Sequence, residues 1–196
     1  MSTPIFTYNH EAALTAGQGG FINETGAYVL TITEAALKQA DSGARSIEFS
    51  GEAEDGRKIQ YLSVWVTKKD GTENKFGANI IHAMMGCAGV NQLTSHMQSA
   101  GQYVAPEFAG KKIGLVLQKV LSSKQDGSDT YKFDIRLPFI AQTHQTLLEK
   151  AEGKNAETVS RMVATLKDKD ERKKGVSHAD NGYHFGQDDD PGFTPF

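Results

Sequence analysis

The chemistry this chain could perform is concentrated in two aromatic rings and a set of cations. Tyr61 and Trp65 lie in a segment of alternating character, in which Leu62, Val64 and Val66 are aliphatic and Ser63 is polar. Successive side chains of a strand point to opposite faces. The aliphatic residues therefore predict a core-facing row, and Tyr61, Ser63 and Trp65 an outward one. Outward rings can stack on the π-faces of nucleobases, which contributes about 1–3 kcal/mol per base and needs no sequence match. The alternative is ordinary packing, with both rings lying beneath an N-terminal arm or a late helix.

Cations surround this segment. Arg57 and Lys58 precede it, and Lys68 and Lys69 follow it; Lys132 and Arg136 occupy outward positions of a later strand, and Lys111, Lys112, Lys119 and Lys124 lie on or beside the strand before that. Such groups neutralise phosphates and release counterions, giving an affinity that falls steeply with salt. Taken singly, each is equally an ordinary solvated side chain. The candidate nucleic-acid-binding set is Arg57, Lys58, Tyr61, Trp65, Lys68, Lys69, Lys112, Lys119, Lys124, Lys132 and Arg136. No helix-turn-helix, zinc-finger or basic-helix pattern accompanies it, so sequence-tolerant binding of single strands is the expectation.

The elements that must hold these residues are mainly strands. Leu30 and Ile32 alternate with Val29 and Thr31; Ile47 and Phe49 alternate with Glu48 and Ser50; Glu54, Asp55 and Gly56 then give a turn before the Tyr61–Trp65 strand. Ile80, Ile81, Met84, Met85 and Ala88 follow a helical period that Gly89 stops. Two more strands follow: one with Ile113, Leu115, Leu117 and Leu121 on one face, the other with Phe133, Ile135 and Leu137. Asp126 and Gly127 mark the hairpin between them. Three strands, a helix and two strands is the order of the OB-fold, a five-stranded Greek-key barrel with its helix between strands three and four. A five-stranded sheet with helices on one side is the alternative. Val159, Met162, Val163 and Leu166 predict an additional C-terminal helix with Asn155 as N-cap, packing on the barrel or pairing with another subunit of a homo-oligomer. The expected organisation is an arm over residues 1–25, the barrel and C-terminal helix over 26–166, and a charged linker with an acidic tail over 167–196. The run 167–174 reads as a solvated helix end.

The chain has 196 residues, enough for a proper core. Its net charge is −3, but without Asp188, Asp189 and Asp190 the body holds 21 acidic and 21 basic residues. The last residues run from those aspartates through Pro191, Gly192, Phe193, Thr194 and Pro195 to Phe196. So acidic a segment has too little apolar surface to fold alone. Its carboxylates and the rings of Phe193 and Phe196 suit a basic, apolar-floored pocket on another protein, or the chain's own cationic groove.

This tail resembles that of bacterial single-stranded DNA-binding proteins in its aspartate run and terminal Pro-Phe. It departs by carrying Pro191–Thr194 where the bacterial tail has one aliphatic residue. The body resembles phage-encoded single-stranded DNA-binding proteins in Gly26–Glu34 (GAYVLTITE), Ile47–Phe49, Tyr61–Val66 and Ile80–Gly89. The resemblance implies coating of single strands in DNA replication and recombination, tail-mediated recruitment of replication proteins, and a place in the cytoplasm of an infected bacterial host cell. No signal peptide is visible in residues 1–11, and no apolar stretch suits a membrane span.

Other functions have weaker support. His178, Asp180 and His184 could meet a divalent metal for nuclease chemistry, but their spacing matches no strong ligand motif. Glu52, Glu54 and Asp55 are more simply a solvated turn. His82 and His96 read as structural, and Cys87 as a small buried hydrophobe. No catalytic residue, metal or cofactor is expected. A protein-interaction adaptor without DNA affinity is the remaining rival.

Overall fold

The computed structural model describes residues 7–8 and 20–172. Its body is mostly β. Nine strands form one sheet: β1 (Gly20–Phe21), β2 (Gly26–Gln39), β3 (Arg45–Ala53), β4 (Arg57–Trp65), β5 (His96–Ser99), β6 (Gln102–Val104), β7 (Lys112–Ser123), β8 (Asp129–Phe139) and β9 (Lys169–Asp170). Among the described residues helices are few: α1 (Lys75–Ala88), α2 (Leu147–Ala151), α3 (Thr158–Thr165) and one 3-10 turn at Pro106–Phe108. The five strands expected from alternation are β2, β3, β4, β7 and β8. The four short ones have too few residues for a periodic signal.

The long strands run antiparallel in the order β4-β3-β2-β7-β8. Besides β3, β2 serves two partners along its other edge: its first half pairs with β7, while Ala36 and Leu37 pair with β6 of the β5–β6 hairpin. The sheet curls into a half-barrel, and its concave face holds the main core. Leu30, Ile32, Phe49, Leu62, Ile113, Leu115 and Leu117 are all at most 2% exposed there. At about 1.5–3 kcal/mol for each large apolar side chain fully buried, this row dominates the stabilisation of the fold.

Residues 20–25 and 167–172 belong to this body. β1 pairs in parallel with β4, and Ile22 is buried in the core. The run read as a solvated helix end instead supplies β9, which pairs in parallel with β7 at Val120 and Leu121.

α1 takes the expected face. Ile80, Ile81, Met84 and Cys87 are buried, and Gly89 closes the helix in the left-handed conformation at φ 66°. The segment after it, over residues 91–101, contains β5. α3 packs on the convex face, where Val159, Met162, Val163 and Leu166 meet Val29, Val116, Leu137 and Phe139. Of the two packings open to this helix, it adopts the one against its own sheet. Its N-cap is Glu157 rather than Asn155.

Three bulges in the long strands set side chains apart from simple alternation. In β8, Val116 faces Leu137 while Leu117 faces Ile135, so Arg136 is an extra residue. Leu137 consequently joins the convex cluster instead of sharing the concave face with Phe133 and Ile135. β2 carries a similar shift at Thr33, after which Ala35 is the buried residue. The third lies in β4, at Tyr61.

Glu149 staples the C-terminal region. Thr146 and Glu149 form a reciprocal capping box, and the second carboxylate oxygen accepts from the backbone N–H groups of Glu157 (3.0 Å) and Thr158 (2.7 Å) and from the Thr158 hydroxyl (2.6 Å). Donation from Thr158 first, then from the Thr146 and Thr158 backbone, holds the Glu149 carboxyl down to about 2 from its ordinary 4.5. A depressed carboxyl contributes stability above its unfolded value and loses it as pH falls through the folded one. We expect Glu149→Gln to lower the urea midpoint at pH 7, and the gap between variant and wild type to close between about pH 4.5 and 2.

Candidate nucleic-acid interface

The curl does not close with hydrogen bonds. Among the described residues β4 pairs with β1 and β3, and β8 pairs with β7 alone. α1 packs against both β4 and β8 at one end of the gap. The remainder is a seam of two adjoining depressions, which a third extends past Trp65 toward the β2–β3 turn. The first, about 350 Å³, is lined by Phe21, Lys58, Tyr61, Tyr131, Lys132 and Phe133 among others. The second, about 180 Å³, includes Ser63, Trp65, Asn74, Phe76, Asp134 and Arg136. The third, about 340 Å³, includes Trp65, Thr67, Lys68 and Lys69.

The outward row of β4 is where the sequence puts it. Leu62 and Val64 are buried, while Tyr61 is 74% and Trp65 44% exposed. Of the nine large hydrophobic residues exposed among those described, Phe21, Tyr61, Trp65, Phe76 and Tyr131 line the seam. Exposed apolar surface collected along one path marks an interaction site, whereas isolated residues do not.

Each ring has a local reason for its position. In β4, Leu62 pairs with Phe49 but Ile59 with Gly51, so three steps of β4 oppose two of β3. Tyr61 absorbs the extra residue in the left-handed region, at φ 60°. Both Gln60 and Tyr61 are exposed as a result. Bulges re-aim side chains in this way, and the conformation costs a non-glycine residue about 1–2 kcal/mol. Trp65 is held through its backbone: the Asn74 amide donates to its carbonyl at 2.8 Å, and a Cβ on Gly77 would lie 1.9 Å from the same oxygen. Only glycine allows α1 this approach, which places Phe76 beside Trp65. Tyr131 meets Phe133 edge-to-face at 5.7 Å, and the Lys119 ammonium lies 4.6 Å from its ring centroid.

The cations divide by their engagement. Lys58, Lys68, Lys69 and Arg136 line the seam and form no ion pair among the described residues. Lys132 lines it with long contacts to Asp134 (4.0 Å) and Glu171 (3.9 Å). Lys119 touches it through Tyr131. Arg57 is committed elsewhere: it pairs with Asp55 at 2.7 Å and lies over the Tyr28 ring. Its donated hydrogen bond holds the Asp55 carboxyl below the usual range, so its work is to brace the β3–β4 turn. Lys112 pairs with Glu54 at 3.0 Å, outside the seam. Lys124 is exposed at the β7–β8 hairpin turn, also away from the three depressions.

Phe21, Phe76 and Tyr131 are functional candidates the sequence did not single out. Tyr131 shares the concave face with Phe133 and Ile135, but lies at the strand's beginning, past the edge of the core. Phe76 precedes the apolar period of α1, and Phe21 lies in the segment read as an arm. A signal existed only for Tyr131, as an aromatic directly before the outward Lys132.

Asp188, Asp189, Asp190, Phe193 and Phe196, and the set His178, Asp180 and His184, lie outside the described residues. Among the described residues no group of three or more potential metal ligands converges, and no helix is long and apolar enough to cross a membrane. Burial pushes the Cys87 thiol up to about 11. Comparison with protein-family models and with curated proteins finds no match.

Tyr61→Gly separates the ring from the backbone it strains. Glycine adopts the left-handed region freely. We expect the variant to match or exceed wild-type stability by about 1 kcal/mol in urea unfolding, while losing affinity for whatever ligand stacks on the ring.

Proposed function

We propose that the protein binds single-stranded DNA without strict sequence requirement, along the seam between β4 and β8. One observation carries the proposal: exposed rings and unpaired cations occupy the same continuous path. Rings supply stacking to any base, and the cations meet the backbone phosphates. The fold reading that accompanies it is an OB-type barrel. Support comes from the connectivity, with β2, β3 and β4 in succession, α1 next, then β7 and β8, and with β7 returning beside β2. In such barrels the second and third strands and their loops are the usual binding face. Here those strands are β3 and β4.

The acidic C-terminal residues add a second role, recruitment of replication and recombination proteins. Together with the sequence resemblance, this describes a phage protein acting in the cytoplasm of an infected bacterial cell.

Trp65 is the single tryptophan of the chain, so its fluorescence reports on the seam. Titration with oligo-dT is expected to give saturable quenching that weakens as salt rises. Phe76→Ala and Tyr131→Ala should each weaken binding by about 1–3 kcal/mol. Lys58→Ala should reduce the slope of log K against log salt by up to about 0.7, the value for one phosphate contact on a single strand. Lys112→Ala, paired away from the seam, should leave that slope unchanged. Absence of binding at low salt would favour the adaptor function, and metal-dependent cleavage of the oligonucleotide the nuclease. Deleting residues 188–196 should preserve or tighten DNA binding and abolish partner recruitment, as read by pull-down of replication proteins.

A further inference from the structure

We propose that the depression beside Trp65 is a base-reading subsite that favours guanine, with Asp134 and Arg136 meeting the base's Watson–Crick edge. The inference rests on the single-strand reading of the seam and adds a preference to it.

The depression is small, about 180 Å³, with Trp65 and Phe76 as its aromatic walls and Asp134 and Arg136 among its polar lining. It has room for one planar base. A carboxylate is a poor group to place against phosphate, because like charges repel. It is also an acceptor without any donor, while guanidinium is a donor without any acceptor. Asp134 makes one long contact, from Oδ1 to the Lys132 ammonium at 4.0 Å, and lies within electrostatic reach of Lys169, but its oxygens accept no hydrogen bond among the described residues. Arg136 has no ion-pair partner there and does not pair with Asp134, although the two line the same depression. The bulge at Arg136 is what takes its side chain out of the register set by Lys132 and Asp134.

A carboxylate and a guanidinium that line one depression, neither hydrogen-bonded to another described residue, suit a ligand edge of opposite pattern. Guanine supplies it, with an acceptor at O6 next to donors at N1 and N2. Thymine places carbonyl oxygens on both sides of its only N–H, and these oppose a carboxylate. Cytosine, with one amine beside acceptors at N3 and O2, and adenine, with one amine beside an acceptor at N1, can meet the guanidinium but give the carboxylate a single donor instead of two.

The test uses the full-length chain with oligo-dT and with oligonucleotides of equal length in which spaced thymines are replaced by guanine, or by hypoxanthine, which lacks the exocyclic amine. Guanine is expected to tighten binding about tenfold, within the range of a bidentate base contact, and hypoxanthine by less. Asp134→Asn should lose the guanine gain, read as the ratio of affinities for the guanine-containing and all-thymine strands. Arg136→Lys should reduce that ratio. Equal wild-type affinity for guanine-containing and all-thymine strands would overturn the proposal, as would a gain that persists undiminished in Asp134→Asn. Wild-type failure on every oligonucleotide would remove the single-strand reading as well, which makes the two failures distinguishable.

Discussion

The missing hydrogen-bonded ladder between β4 and β8 is the constraint from which the rest follows. A sheet that curls without closing must fill its gap or leave it wet. α1 fills one end with Ile80, Ile81 and Met84. The other end stays open because the residues there are poor at closing it: Tyr61 in a bulge, the exposed Tyr131, and the cations Lys58 and Lys132. Had the strands paired, the rings would flank a continuous surface instead of lining a groove. The groove's depth, its aromatic walls and its cationic rims therefore share one cause.

Much of this was legible in the sequence. Period-two alternation located the five long strands, and it put Leu62 and Val64 inside and Trp65 outside. A period of 3.6 residues located α1, and Gly89 ended it. The bulges were not legible, because an inserted residue leaves no periodic trace until its partner strand is known. Leu137 shows the consequence: its spacing from Ile135 predicts a shared face, and Arg136 between them puts it on the other.

Charge was read less well than hydrophobicity, for a related reason. The sequence shows where a cation lies but not which carboxylate it meets. Arg57 and Lys58 are adjacent and look equivalent. In the fold, Arg57 is tied to Asp55 across a tight turn, while Lys58 lines the seam without an ion pair. Lys112 likewise finds Glu54 only because β7 passes near the β3–β4 turn. Pairing depends on tertiary neighbours, and an ion pair absorbs the charge that would otherwise act on a ligand.

Cys87 has a practical bearing on the same gap. It is the sole cysteine of the chain, it sits on the buried face of α1, and its thiol is both shielded and held in the protonated form. Electrophiles attack the thiolate, so alkylation in the native state requires the helix to lift from between β4 and β8. The rate of that modification is thus a clock for helix detachment, built into the chain without any engineered label.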